Sequence, residues 1–367
     1  MTYVALGDVT RNLDAKRVPV RSSSRQPGPY PYYGASGIVD WVSDFLFEGR
    51  HLLVAEDGEN LRSRNTPVAF LADGKFWVNN HAHVLTAVPG ISDIRYLCYQ
   101  LQLTDMTGYL TGSAQPKLNR SALDSIQVWL PDLATQTAIA DVLGALDDKI
   151  AANERLASVS MELALASFER AVRDLPQVAI SELSTAVLGG TPDRGIPRYW
   201  GGGIAWVSVA DVTKAAHGYL ISTEESISVE ATQKTRARVV PAGSTIVTAR
   251  GTVGKLARTG FDGAFNQSCY AFVPGAVPSH LLFFALAAGM LQAQAHSHGT
   301  VFQTITMRTF DHLTVPDVRL APASLEDALA LIVGRADSAL RENRVLAATR
   351  DAFLPELMSG RLAVNNI

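Results

Sequence analysis

Residues 131–178 carry apolar side chains at Ile139, Val142, Leu143, Leu146, Ile150, Leu156, Val159 and Leu163. That spacing has a helical period and a narrow apolar stripe. Pro131 and Pro176 bracket the run, and Thr135 offers a candidate N-cap. From Thr135 to Val172 such a helix is roughly 57 Å long. A lone amphipathic helix of that length cannot bury its stripe, so it requires a partner. Residues 317–367 supply one: Leu325, Leu329, Ile332, Leu340, Leu346 and Phe353 repeat the pattern behind a capping-box-like Ser324-x-x-Asp327. At a constant offset Asn153 falls on Asn343, Leu156 on Leu346, Ala157 on Ala347 and Leu163 on Phe353. An asparagine on or beside each seam suits a coiled coil whose register one polar position fixes. The expected pairing residues are therefore Leu146, Ile150, Asn153, Leu156, Leu340, Asn343, Leu346 and Phe353.

The repeat extends beyond the helices. Residues 112–128 (GSAQPKLNRSALDSIQV) align with 299–315 (GTVFQTITMRTFDHLTV), so that Leu118, Leu123 and Asp124 meet Ile305, Phe310 and Asp311. Each segment runs through a Pro-Asp, at Pro131-Asp132 and Pro316-Asp317, into its helix. The two copies also open alike, Val4-Ala5-Leu6 against Val178-Ala179-Ile180. The chain reads as globule, long helix, globule, long helix, with boundaries 1–130, 131–178, 179–316 and 317–367. Such a period is a domain duplication, too long for a solenoid repeat. Two copies of a helix that pairs antiparallel with its counterpart imply an approximate twofold axis inside one chain.

At 367 residues the chain can hold two globules, each with its own core. Hydrophobic content of 47% with 18% charged residues marks a folded protein. Cys98 and Cys269, one per globule, exclude a disulfide framework or zinc finger and fit a reducing cytosol. The start, MTYVALGDVT, lacks the charged and apolar regions of a signal peptide. The longest apolar stretch, Leu281 to Leu291, is too short to span a bilayer and reads as a buried helix. Net charge is −3, with the acidic excess on residues 131–178 and a slight basic excess on 179–316. Weak overall electrostatics suit a protein that reads bases and borrows phosphate affinity from partner subunits.

In the first globule, residues 11–25 hold Arg11, Lys16, Arg17, Arg21 and Arg25 against a single Asp14, a basic loop able to contact phosphate or simply to be solvated. Tyr30, Tyr32 and Tyr33 beside Gly34 and Gly37 form an aromatic turn, read as packing ahead of base stacking. HLLVAEDG is a strand ending in a turn at Asp57-Gly58. Arg62 and Arg64 follow on a loop. FWVNNHAHVL alternates as a strand that puts His81 and His83 on one face, where hydrogen bonding or packing is favoured over a metal.

In the second globule, Gly189 to Pro192 is a turn carrying the Thr191 hydroxyl. Trp200 and Trp206 flank the glycine turn Gly201 to Gly203 and are expected to pack. The stretch AGSTIVTARGTVGKLARTG is strand, turn, strand, and its GTVGK lacks the spacing of a phosphate loop. Arg250 and Lys255 at the ends of that turn suit DNA better. FNQSCYAF stands where FWVNNHAHVL stands in the first globule. Asn79-Asn80 and Asn266-Gln267 are amides that can read adenine edges or hold local turns. His296 and His298 lie in a polar loop before the repeated segment. No glycine-rich cofactor fingerprint, NPPY-type amine-methylation motif, carboxylate–lysine nuclease cluster or GxSxG is present. A duplicated chain without such machinery is a binding module, with no catalytic residue and no metal site.

The whole chain resembles the DNA-specificity subunit of type I restriction–modification enzymes. YYGASGIVDWVSDFLFEGRHLLVAEDG with FWVNNHAHVL resembles one class of target recognition domain. GGTPDRGIPRYWGGGIAWVSVADV with GSTIVTARGTVGKLA and AFNQSCYAF resembles another. LPDLATQTAIADVLGALDDKIAANERL and FLPELMSGRL resemble the shared helices, although Thr135-Gln136 stands where the family often has Glu-Gln. The resemblance implies an α+β fold: two α/β target recognition domains separated by two long antiparallel helices in a coiled coil. It implies that each domain reads half of a split site in double-stranded DNA while the helices set the spacing. It further implies two modification subunits carrying S-adenosylmethionine, restriction/translocase subunits using ATP and Mg, no membrane association and a cytoplasmic location. The residues expected at DNA are Arg21, Arg25, Arg62, Arg64, Asn80, Lys117 and Arg120, with Thr191, Arg194, Arg236, Arg238, Arg250, Lys255, Gln303 and Arg308 in the second domain. The rivals are a recognition module of another methyltransferase or phage-defence complex, a metal-dependent hydrolase using His81, His83, His296 and His298, and a scaffold with no nucleic-acid role.

Overall fold

The computed structural model describes residues 2–112, 115–296 and 304–364, and their side chains except at 294–296. Two helices dominate. Leu133–Val172 has 40 residues and Ala323–Met358 has 36. Asp132, not Thr135, caps the first. Its carboxylate accepts the Thr135 backbone N–H at 3.0 Å and the Thr135 hydroxyl at 2.8 Å. An anion at the positive end of the helix dipole outdoes a neutral hydroxyl one turn further in. The second helix starts at Ala323, so Ser324 lies within its first turn. Pro322 precedes it with a backbone already suited to a helix start.

The chain divides into two compact units, Met1–Lys149 with Leu346–Ile367, and Ile150–Val345. Each unit thus takes one globule and a part of both long helices. In the first unit the strands are β1 (Tyr3–Ala5), β2 (Thr10–Asn12), β3 (Tyr30–Gly34), β4 (Gly37–Val42), β5 (Phe47–Glu48), β6 (His51–Ala55), β7 (Ala69–Ala72), β8 (Lys75–Val78), β9 (Ala82–Ala87) and β10 (Gln127–Trp129). β1 and β10 pair antiparallel; one sheet runs β2-β9-β6-β7 and another β4-β3-β8-β5. β6 reads His-Leu-Leu-Val-Ala, apolar on both faces, and it is the buried centre of its sheet. The helix Ile94–Leu103 closes the core, capped by Asp93, which accepts the Arg95 N–H at 2.8 Å. Leu52, Leu85, Leu97 and Leu143 share that core with Leu354 and Leu357, so the long helices run antiparallel here. Asp147 ties them together, accepting from Arg350 at 2.8 Å and from the Tyr99 hydroxyl at 2.5 Å.

The second unit repeats this plan with different side chains. Its strands are β11 (Gln177–Ala179), β12 (Ala186–Leu188), β13 (Trp200–Val207), β14 (Tyr219–Leu220), β15 (Glu225–Ile227), β16 (Thr245–Thr248), β17 (Leu256–Thr259), β18 (Gly263–Phe265), β19 (Cys269–Phe272) and β20 (Thr314–Pro316). β11 pairs with β20, and Val178 faces Val315 as Val4 faces Val128. One sheet runs β12-β19-β16-β17-β14 and another β15-β13-β18. Strand for strand, β12-β19-β16-β17 corresponds to β2-β9-β6-β7. In both units one parallel pair, β3 with β8 and β13 with β18, sits beside an antiparallel neighbour. The apolar run from Leu281 does form a helix, Ser279–His296, with Leu282, Phe284 and Leu286 buried. Among the described residues no helix is long and apolar enough to cross a membrane.

Within the second unit the long helices again run antiparallel. Ala164 and Phe168 pack with Leu325, Leu329 and Val333, while Ala157, Ala336 and Leu340 meet around Tyr219. Asn153 and Asn343 are buried, at 2% and 8% exposure. Asn153 Nδ2 donates to Glu342 at 2.7 Å, and Asn343 Nδ2 donates to Glu154 at 3.0 Å and to the Ile150 carbonyl at 3.2 Å. Of the other expected pairing residues, Leu340 is buried and Leu146, Ile150, Leu346 and Phe353 are half-buried. Leu156 departs from the expectation. It is 45% exposed, and Val159 and Leu163 face outward with it. The first helix instead turns Ala157, Ser160 and Ala164 inward, and Ala157 packs with Tyr219, Ala336 and Leu340.

Candidate nucleic-acid interface

In each globule three loops meet through main-chain hydrogen bonds at the ends of the central strands. In the first, Asn79 N–H donates to the Tyr33 carbonyl at 3.0 Å, Glu56 N–H to the His81 carbonyl at 2.9 Å and Leu118 N–H to the Glu56 carbonyl at 2.8 Å. In the second, Asn266 N–H donates to the Val207 carbonyl at 2.9 Å, Ala249 N–H to the Ser268 carbonyl at 2.8 Å and Ile305 N–H to the Ala249 carbonyl at 2.9 Å. The aligned pair Leu118 and Ile305 occupies the same node in both. At each crossing an asparagine closes a local turn: Asn79 Oδ1 accepts the His81 N–H at 2.8 Å, and Asn266 Oδ1 accepts the Ser268 N–H at 2.7 Å. These first amides are therefore turn-holders. The next residues, Asn80 and Gln267, are exposed. The Gln267 backbone N–H reaches the Thr191 hydroxyl at 3.4 Å, bringing the Gly189–Thr191 turn to the same place. Gly189 is required there, since a Cβ would lie 2.2 Å from the Asn266 carbonyl oxygen.

The expected DNA residues separate into three groups. Arg21, Asn80, Arg236, Arg238, Arg250, Lys255 and Arg308 are exposed, and their side chains form no ion pair among the described residues. Lys117, Arg120 and Arg62 are exposed but lie near carboxylates, at 3.3 Å from Glu56, 3.5 Å from Asp124 and 3.8 Å from Glu59. Exposed pairs of this kind are worth little and yield readily to a phosphate. Arg25 and Arg64 are half-buried and engaged within the protein, and Arg194, though exposed, is engaged as well. Arg25 lies 4.3 Å over the Tyr32 ring and pairs with Asp40 at 2.9 Å. Arg64 donates to the Thr104 and Leu101 carbonyls. Arg194 forks onto Glu225 and stacks 3.7 Å from the Trp200 ring, which itself packs edge-on against Trp206. Thr191 is half-buried at the second crossing. Gln303 and His298 lie outside the described residues, as does the side chain of His296. The basic loop 11–25 is likewise divided: Arg17 turns inward to Glu56 at 2.8 Å while Arg11, Lys16 and Arg21 stay exposed. Tyr32 is buried, as a packing residue should be.

Beneath the first crossing lies an ionic cluster that sequence reasoning saw only as a histidine pair. β9 begins at Ala82, so the alternation does not reach His81. His81 contacts Asp57 at 2.8 Å near the surface, while His83 is buried between Asp14 Oδ2 at 2.6 Å and the Leu118 carbonyl at 2.8 Å. Asp14, Glu56 and His83 place possible ligand atoms within 4.8 Å of one another. Cations of the protein already fill that space: Arg17 reaches Glu56 at 2.8 Å and Asp14 at 3.4 Å, and Lys117 reaches Glu56 at 3.3 Å. Both His83 nitrogens are spent on oxygen atoms. The cluster therefore braces the loops and offers no open ligand position. Burial alone would push the Asp14 carboxyl up, but the bonds from His83, Val84 and Asn12 hold it below the usual carboxylate range. Burial pushes the Cys98 and Cys269 thiols up to about 12, so neither is a nucleophile.

Comparison with known proteins agrees with this organisation. Residues 1–159 and 174–321 match the family described as Type I restriction modification DNA specificity domain. A putative type I restriction enzyme specificity subunit, S.HindORF215P of Haemophilus influenzae, is 37% identical over 141 residues, 38% of this chain and 36% of that protein. The EcoprrI specificity subunit of Escherichia coli is 29% identical over 121 residues, 32% of this chain and 28% of that protein. The matched stretches thus span about a third of the length of these curated relatives. The S subunit of a type I restriction–modification system from M. genitalium superposes with a TM-score of 0.67 at 14% identity, over 97% of this chain and 95% of that one. It shares the fold, and the family match covers both globules and most of the first long helix. This chain belongs to the type I restriction–modification DNA-specificity family.

Proposed function

We propose that this chain is the DNA-recognition subunit of a type I restriction–modification complex, each globule reading one half of a bipartite, asymmetric site in double-stranded DNA. The long helices act as the spacer between the halves, near one turn of duplex or roughly 34 Å. They also dock two modification subunits, and restriction/translocase subunits join for cleavage. The observation that carries this reading is the duplicated plan: equivalent sheets and equivalent loop crossings that carry different side chains. A chain built this way distinguishes two half-sites while offering like surfaces to two like partners. It performs no chemistry itself. S-adenosylmethionine belongs to the modification subunits, which flip the target adenine, and ATP and Mg belong to the restriction subunits. Such a complex works in the cytoplasm.

The exposed cations Arg21, Arg236, Arg238, Arg250, Lys255 and Arg308 take phosphates, joined by Lys117, Arg120 and Arg62. Thr191, Asn80 and Gln303 are the polar groups assigned to bases, while Arg25, Arg64 and Arg194 support the reading loops. The test is to express the chain with its modification partner and map methylated adenines across the genome. A split motif that vanishes when this chain is deleted supports the reading. A motif that persists without the chain refutes it.

A further inference from the structure

The two loop crossings carry one more regularity. Although their flanking side chains differ, each presents a free carboxamide at the same node, Asn80 in one and Gln267 in the other. Neither side chain forms a hydrogen bond among the described residues, so both the carbonyl and the amino group of each remain available. The preceding asparagine is consumed by the turn, which leaves the following amide as the exposed one. In each unit three main-chain bonds and the asparagine side chain together hold that turn in place. A group held before binding loses less conformational entropy on binding. A single amide on a turn is ordinary. Two at corresponding nodes of otherwise dissimilar globules call for a common role.

The chemistry of that role is narrow. A neutral carboxamide gains little from a phosphate compared with the arginines and lysines nearby. It matches the adenine edge, donating to N7 through its amino group and accepting from N6 through its carbonyl. The neighbours at each node differ: Glu56, Asp57 and His81 at the first, Ala249, Arg250 and Ser268 at the second. The first crossing thus includes acidic and histidine residues, with Glu56 paired to Arg17 and Lys117, and the second includes an arginine. Resting on the DNA-recognition function above, we propose that Asn80 and Gln267 are the adenine-specifying residues, one for each half-site.

The test uses the full chain with its modification partner in cells without other adenine methylation, and reads the methylated motif genome-wide. Asn80→Ala should relax one A·T position in one half, and Gln267→Ala one A·T position in the other, with selectivity there falling roughly 5- to 150-fold. An unchanged motif, relaxation at a G·C position, or both variants acting on the same half overturns the assignment. Should an alanine variant abolish methylation, Asn80→Asp and Gln267→Glu decide. A shift confined to one A·T position supports the proposal, and a retained motif overturns it. A motif that depends on the chain but not on these residues sinks this inference alone. A motif independent of the chain sinks the DNA-recognition function itself.

Discussion

Asn153 Nδ2 donates to a Glu342 carboxylate oxygen at 2.7 Å, and the next residue along each helix, Glu154 and Asn343, makes the reciprocal bond at 3.0 Å. The two bonds lie in a helix seam otherwise built from apolar residues, Ala157, Ala336 and Leu340. A polar pair at such a place contributes little net stability but penalises any axial slip that would bury it unpartnered. A double-mutant cycle with Asn153→Ala and Glu342→Ala should give a coupling of about 1 kcal/mol by urea unfolding. A coupling near zero would mean that the carboxylate is solvated and the register is set elsewhere.

Arg258 and Asp337 form a charge pair with both side chains nearly buried, and Arg258 also lies 4.9 Å over the Tyr219 ring. Removing only the acid strands a cation beside the helix seam. Asp337→Ala should cost about 3–5 kcal/mol, whereas the joint change Arg258→Met with Asp337→Leu should come close to neutral. Denaturant midpoints of the three proteins check both halves of this prediction.

The His83 cluster makes acid sensitivity predictable in sign. The folded Asp14 carboxyl titrates below its ordinary range. Its contribution is therefore fully present above the unfolded pKa, about 3.9, and is lost as pH falls through the lower folded value. Asp14→Ala removes the partner of His83 Nδ1 and of the Val84 N–H and should cost roughly 1–3 kcal/mol at pH 7. The gap between wild type and variant should close in acid below about pH 4. A gap that widens on acidification would contradict the sign.

Arg250 and Lys255 flank the tip of the β16–β17 hairpin, are exposed and form no ion pair among the described residues. Alanine at either should weaken DNA binding by the assembled complex about equally across sequences. Each should also reduce the slope of log affinity against log salt by about 1. A change in the recognised motif would make the residue a base reader instead. Arg194→Ala should act through stability, since that guanidinium is already divided between Glu225 and Trp200.

The duplication was legible because helical periodicity and the aligned pairs Asn153/Asn343 and Leu118/Ile305 survive in side-chain identity. Leu156 was misplaced because periodicity alone does not say which partner fills the seam. Tyr219, distant in sequence, is part of what packs on Ala157 there. The cap moved from Thr135 to Asp132 for a local reason, the stronger pull of an anion on the first-turn N–H groups. The internal bonds of Arg25, Arg64 and Arg194 were not legible, because a surface loop rich in arginine has the same composition whatever its cations face. The three-loop crossings left no sequence signal beyond Asn79 and Asn266, since their bonds are made by backbone.

That last feature bears on how such a protein changes its target. The crossing bonds are made by peptide groups and the side-chain demands fall on Asn79, Asn266, Gly189 and the His83 cluster, so exposed positions such as Asn80 and Gln267 can be exchanged at little risk to folding. Under the function proposed above, one half could acquire a new address while the other half stayed as it was.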